Sequence, residues 1–197
     1  MKKEFKVISQ IINNNKRVLD VGCGDGTLMQ YLKFNQKNDV RGLEPNKKLV
    51  QECIAKGLPV IQGDAEKELF QFPDKSFDYV VLSQTLQAFL SPENVLKELL
   101  RIGKNTIISI PNFGYWKVRL HLLLKGTMPI TKTLPNEWHN TPNLHMCSIL
   151  DFYNFCGKRN IKINKSLCVT KEKISDIKKT NLIYKNFFSE LGIFLIE

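Results

Sequence analysis

The run Asp20-Val21-Gly22-Cys23-Gly24-Asp25-Gly26 constrains this chain more than any other feature. An apolar segment at 17–21 precedes it and an amphipathic segment at 27–33 follows, so the motif reads as a turn between a strand and a helix. Three glycines at alternate positions let a backbone turn sharply and lie close to a ligand where a Cβ would collide. A chain built around such a turn belongs with the α/β folds that bind nucleotides at the ends of parallel strands.

The rest of the sequence keeps that rhythm. Apolar spacing alternates between two and 3.6, as successive β-α units require. Phe5, Ile8, Ile11 and Ile12 mark a leading helix, and 17–21, 40–44, 59–62, 77–82 and 106–110 read as five strands. Leu49, Val50, Cys53 and Ile54 share one helical face between the second and third strands. Ser91-Pro92-Glu93 opens another helix, with the serine placed to cap free N–H groups and proline suited to the first helical position. That helix is expected to bury Val95, Leu96, Leu99 and Leu100. A helix at 150–158 and strands at 161–169 and 192–196 complete the pattern. Long apolar runs in strands two to five call for a sheet covered on both faces. The expectation is one α/β domain over 1–197, doubly wound and Rossmann-like, with a mostly parallel seven-stranded sheet and an antiparallel strand near its edge.

Two further acids stand in register with the glycine turn. Glu44 closes the second strand twenty residues beyond Gly24, where an acid grips ribose hydroxyls, and Asp64 follows the third strand in Gln62-Gly63-Asp64-Ala65. A dinucleotide would place its pyrophosphate at the helix start, yet Asp20 and Asp25 flank that spot. Each carboxylate near a phosphate costs on the order of a kcal/mol in a partly desolvated cleft, and each favours a sulfonium or ammonium by the same reasoning. The pocket is acidic inside a chain of net charge +10. A cationic adenosyl ligand fits it better than NAD.

Composition removes several other functions. Of 29 basic residues only five are arginine, and they are dispersed, so the guanidinium forks favoured by phosphates and bases are scarce and nucleic acid is not the expected partner. No run reaches the ~18 apolar residues of a membrane span, and the N-terminus lacks a signal-peptide core, which points to the cytosol. Five scattered cysteines give neither a disulfide framework nor a zinc site, and Cys53 and Cys156 are expected as small buried hydrophobes.

Val18-Leu19-Asp20-Val21-Gly22-Cys23-Gly24-Asp25-Gly26 resembles motif I of the class I S-adenosylmethionine-dependent methyltransferases. The resemblance implies S-adenosylmethionine or S-adenosylhomocysteine as ligand, with Gly22, Cys23, Gly24 and Gly26 along its methionyl and ribose part and Asp20 facing the amino-acid end. It assigns the ribose hydroxyls to Glu44 and the adenine amino group to Asp64, with Ala65 and Pro45 beside them. Pro45-Asn46 replaces the family's usual pair after Glu44, which changes the adenine wall. Ser83 and Gln84, after the fourth strand, stand where the methionyl end or a small substrate would be met.

A narrower resemblance spans nearly the whole chain. Gly57-Leu58-Pro59-Val60-Ile61-Gln62-Gly63-Asp64, Leu82-Ser83-Gln84-Thr85-Leu86-Gln87, Pro111-Asn112-Phe113-Gly114-Tyr115-Trp116, Pro129-Ile130-Thr131-Lys132 and Thr141-Pro142-Asn143-Leu144-His145 are similar to the methionine biosynthesis proteins of the MetW family. That resemblance implies partnership with homoserine O-acyltransferase (MetX). The chain has no nucleophile elbow, because Leu82 and Gln84 flank Ser83 without glycine, so any acyl transfer would use the partner's nucleophile. The other reading is a methyltransferase acting on a small molecule, since no N/D-P-P-Y/F motif follows the fourth strand. No catalytic residue is assigned.

The stretch 112–147 breaks the β-α rhythm and is expected to be a lid or partner segment. It holds Trp116, Trp138 and all three histidines. His121, His139 and His145 do not have metal-ligand spacing and read as structural or partner contacts, or as a general base. Trp116, Leu120, Leu123 and Leu124 fall on one side of a helix. That side is either a core face or an apolar patch for a partner, and under the MetW resemblance the acyltransferase contact is expected here.

Overall fold

The computed structural model describes residues 2–131, 133–170 and 173–197. Met1 and Lys132, the latter inside the expected lid segment, lie outside the described residues. The chain divides into two compact units, the first comprising 1–83 and 91–108 with residue 197, and the second 84–90 and 109–196.

The first unit begins with α1 (Lys3–Ile11) and β1 (Arg17–Val21), the latter with the bounds read from the sequence. Then come α2 (Thr27–Gln36), β2 (Asp39–Glu44), α3 (Lys47–Ala55), β3 (Val60–Gln62), the short α4 (Ala65–Glu68), β4 (Phe77–Ser83), α5 (Pro92–Ile102) and β5 (Gly103–Pro111), whose 103–108 stretch belongs here. The strands lie in the order β3-β2-β1-β4-β5. β1 runs parallel to both β2 and β4, and β2 parallel to β3. Four consecutive residues of β1 are buried. Neighbouring strand residues point to opposite faces, so both faces of this strand are covered. Helices α2 and α3 pack on β2, and α5 packs on β4.

Three local expectations change. Ser91 occupies the N-cap of α5 but its hydroxyl makes no capping bond; its backbone N–H donates to Glu66 Oε1 instead. That helix buries Ile102 with Val95, Leu96 and Leu99, whereas Leu100 is half-buried. On α3, Val50 and Cys53 are buried while Ile54 faces out, because α3 has only nine residues and a narrow stripe suffices. Cys53 and Cys156 are fully buried, as their apolar neighbours imply.

The second unit holds the 109–111 end of β5, then α6 (Trp116–Lys125), α7 (Ile149–Lys158), β6 (Ile163–Thr170), β7 (Lys173–Asp176), α8 (Leu182–Phe188) and β8 (Leu191–Ile196). β6 is antiparallel to both β7 and β8. The described residues therefore form eight strands rather than seven, β7 being the addition. Ser148 and Asp151 form a reciprocal capping box that starts α7. Asn112 is the polar hub of this unit. Its Oδ1 accepts from Gly114 N and Ile149 N, and its Nδ2 donates to the carbonyls of Asn186 and Ser189 at 2.7 Å each.

Candidate functional site: an acidic, glycine-lined strand edge

The strand register gathers the acids. In the parallel trio β2-β1-β4, Asp20 sits opposite Gly42 and Val81, so Asp20, Glu44 and Ser83 all stand at or next to the carboxyl ends of their strands. The order 3-2-1-4-5 reverses direction between β1 and β4, and open α/β sheets bind ligands outside the carboxyl ends at such a point.

The glycine loop is held from below. Gly22 N and Cys23 N both donate to Leu43 O, at 2.7 and 3.3 Å, and Cys53 Sγ donates to Gly24 O at 3.3 Å. Gly22, Gly24 and Gly26 all have positive φ. Gly24 and Gly26 are needed for different reasons. A Cβ on Gly26 would come within 2.6 Å of Leu58 Cδ1 and 2.8 Å of Cys53 Sγ, whereas one on Gly24 would meet nothing within 4 Å. Gly26 is thus needed for packing and Gly24 faces open space, as a cradle for a ligand requires.

Glu44 ties this loop to the next. Its Oε2 accepts from Gly24 N at 2.9 Å and its Oε1 from Asn46 N at 3.0 Å, while its carbonyl accepts from Gly63 N at 3.1 Å. The side chain is 6% exposed. Each carboxylate oxygen retains a second acceptor position, so ribose hydroxyls could still be bound. Asp64 is half-buried at the N-cap of α4, where its Oδ1 accepts from Glu66 N, with buried Ala65 next to it. Pro45 is exposed.

Asp20 is 3% exposed. Burial, then the neighbouring carboxylates of Glu4 and Glu44, push its pKa up to about 8. Among the described residues, neither Asp20 nor Glu44 forms an ion pair with a cation, and no group of His, Cys, Asp and Glu is arranged to hold a metal ion. Two buried acids without a cation fit a ligand that brings its own positive charge.

Asp25 differs from these two acids in having a cation beside it. Its carboxylate accepts from Thr27 N and Thr27 Oγ1 and pairs with Lys56 Nζ at 3.4 Å. Against the effect of partial burial, these bonds keep its pKa below the usual value. These bonds tie Asp25 to the first residue of α2 and to Lys56 just after α3. The acid that sequence reasoning missed is Glu4, on α1 and 4% exposed, whose Oε1 accepts from Ser83 Oγ at 2.7 Å. Its signal was present: Glu4 lies one turn before Ile8, on the buried face of that helix.

Gln84 lies in the second unit. It adopts φ 52 without being glycine, and its N–H donates to Ser109 O and Oγ, both at 3.0 Å. Left-handed backbone at such a residue costs on the order of 1 kcal/mol and clusters at functional positions. The three histidines form no buried constellation. His121 contacts Thr127 Oγ1, His139 lies 3.4 Å from Glu137, and His145 is exposed with its backbone N–H on Gln87 O. On α6, Val118 is the buried residue. Trp116 is half-buried, while Leu120 and Leu122 are exposed and Leu123 and Leu124 are 80% and 71% exposed. The leucines of α6 therefore form a surface patch, whereas Trp116 packs against buried Tyr115, Val118 and Leu134.

Solved structures similar to this one share its fold across nearly all of the chain. A S-adenosylmethionine-dependent methyltransferase from Thermotoga maritima aligns over 98% of this chain and 86% of its own, with TM-score 0.70 and 18% identity. One from Mesorhizobium loti aligns over 98% and 96%, with TM-score 0.67 and 15% identity. The chain thus has the Rossmann-like fold of the class I methyltransferases, a mostly parallel sheet with antiparallel strands at one edge.

Within that class its family is defined by sequence. Residues 2–196 match the family model described as methionine biosynthesis protein MetW, and the chain belongs to that family. It is also 34% identical over 172 residues to the bifunctional methionine biosynthesis protein MetXA/MetW of Rhodopirellula baltica. That match covers 81% of this chain and 27% of the relative, so the chain spans about a quarter of that protein's length.

Proposed function

We propose that this protein binds S-adenosylmethionine at the edge formed by Asp20, the Gly22–Gly26 loop, Glu44 and Asp64, and acts in the cytosol with homoserine O-acyltransferase in methionine biosynthesis. The observation that carries the ligand reading is the pair of buried acids, Asp20 and Glu44, without a cation beside a glycine loop that leaves Gly24 open. Cys23 and Ala65 would line the site and Ser83 its methionyl end. Gln84, one residue beyond β4, is the contact for that end or for a small substrate.

The partner reading rests on the Rhodopirellula relative, which is named for both MetXA and MetW. The exposed leucines of α6, together with exposed Ile130, Trp138, Leu144 and Met146, support 112–147 as the surface for that contact. S-adenosylmethionine forms downstream of methionine, so its occupancy would adjust the acyltransferase to the supply of product.

Calorimetry with S-adenosylmethionine, S-adenosylhomocysteine and NAD tests the ligand. Binding of the adenosyl ligands alone supports the reading, and binding of NAD alone defeats it. Mixing the protein with homoserine O-acyltransferase tests the partner: a complex whose activity responds to S-adenosylmethionine is expected, and two chains that elute apart would end the partner reading. The fold also suits a methyltransferase for a small molecule. Production of S-adenosylhomocysteine with an acceptor would favour that second reading.

A further inference from the structure

Between β1 and α2 the loop crosses two left-handed glycines, Gly24 at φ 59 and Gly26 at φ 75, with Asp25 between them. Glycine has no Cβ to restrict it, so the backbone around Asp25 keeps this shape only if other groups hold it. The groups that hold it come from the end of α3 and the turn beyond. Cys53 Sγ donates to Gly24 O at 3.3 Å. Lys56, directly after α3, donates from Nζ to Asp25 O at 2.5 Å and lies 3.4 Å from Asp25 Oδ2. Leu58 Cδ1 and Cys53 Sγ fill the space that a Cβ on Gly26 would need. A second lysine returns the tie: Lys33 Nζ, in the last turn of α2, donates to Gly57 O at 2.7 Å. The β1–α2 segment and the turn after α3 thus hold each other through reciprocal lysine-to-carbonyl bonds.

We propose that Lys56 is a positioning residue of the adenosyl site, which pins the Asp25 carbonyl and so holds the Gly24–Gly26 backbone in the shape that takes the ligand. This rests on the adenosyl reading of the site. Glu44 holds the loop by Gly24 N, and Thr27 holds the Asp25 carboxylate. Lys56 holds the carbonyl, which neither of them reaches. Its ion pair with Asp25 is open to solvent, with side-chain exposures of 31% and 48%, so it adds little to global stability. Binding is the more sensitive quantity, because a ligand that meets an ordered loop does not have to order it. The lysine's charge acts in the other direction, since an ammonium near the site repels a sulfonium. Removing Lys56 therefore weakens S-adenosylmethionine if the residue positions the loop, and tightens it if the residue acts by charge.

The test uses Lys56→Met, which removes the ammonium and keeps the length of the side chain. Calorimetry should show Kd rising about fivefold for S-adenosylmethionine, and by a similar factor for S-adenosylhomocysteine, because both ligands would lie on the same loop. Lys56→Arg, which keeps a cationic donor, should stay within about twofold of the parent. Amide hydrogen exchange gives a readout that needs no ligand. Gly24 N–H and Gly26 N–H should exchange about fivefold faster in Lys56→Met, while the amides of β1 and β4 keep the parent's rates. Tighter S-adenosylmethionine with unchanged S-adenosylhomocysteine would leave only the charge acting and overturn the proposal. Unchanged Kd values for both ligands, or loop amides that exchange as in the parent, would overturn it too. So would faster exchange throughout the unit, which assigns Lys56 a general structural role. A parent that binds neither ligand overturns the adenosyl reading and this proposal with it, and the exchange rates still tell whether Lys56 holds the loop.

Discussion

Glu44 Oε2 accepts a hydrogen bond from Gly24 N at 2.9 Å, so the acid that ends β2 also shapes the glycine loop that follows β1. Binding and loop geometry are therefore coupled through one side chain. Glu44→Ala leaves Gly24 N and Asn46 N without that acceptor. We expect a loss of about 1–3 kcal/mol of stability together with at least a tenfold loss of adenosyl affinity, read by denaturant titration and calorimetry. Affinity lost with stability untouched would mean that the loop does not depend on this bond.

Asp20 makes stability depend on pH in a calculable direction. Its carboxyl titrates near 4 when unfolded and at about 8 when folded. Between those values the native state holds the extra proton, so stability falls as pH rises and levels off above about 8. Asp20→Asn should flatten the profile between pH 6 and 8 and raise Tm at pH 8, while weakening S-adenosylmethionine. Thermal melts across that range check it; a variant as pH-sensitive as the parent would place the titration elsewhere.

The glycines of the loop should separate on substitution. Gly24→Ala pays only for its left-handed backbone, about 1–2 kcal/mol, because its Cβ meets open space. Gly26→Ala adds collisions with Leu58 and Cys53 to the same strain and should cost about 2–4 kcal/mol. The expected signature is a small Tm loss with abolished ligand binding in the first, and a large Tm loss in the second. Equal losses would contradict the distinction between cradle and packing.

On α6, Leu123→Asp and Leu124→Asp should leave Tm within about 1 °C, since surface changes of this kind cost within about 0.5 kcal/mol. Association with homoserine O-acyltransferase should fall at least tenfold in the double variant. Size-exclusion chromatography of the mixture reads the outcome, and undiminished association would move the contact off this helix.

Much of the fold was legible because periodicity reports burial. β1 matched at both ends, and the glycine loop and Glu44 came from a strand–turn–helix context that sequence displays directly. β7 escaped because Lys173-Ile174-Ser175-Asp176 is a polar edge strand with a single apolar residue, itself exposed. Asp25 was read as flanking the ligand, and Asp-x-Thr is also a local side-chain-to-backbone pattern, seen here in its bonds to Thr27. Glu4 was overlooked because a charge near a terminus reads as solvated, although its spacing one turn before Ile8 puts it on the buried face of α1. The α6 leucines were ambiguous in principle, because periodicity gives a helix a side without saying what covers it.

Those leucines also bear on how much of the protein a cell can hold. Uncovered leucines such as Leu123 and Leu124 favour self-association as concentration rises, and a chain that shields the face removes that tendency. If the acyltransferase is that shield, the working amount of this protein is capped by the abundance of its partner, and surplus copies go to aggregation or proteolysis. A polypeptide that is bifunctional, as the Rhodopirellula relative is named, removes the surplus by fixing the ratio at one to one during synthesis.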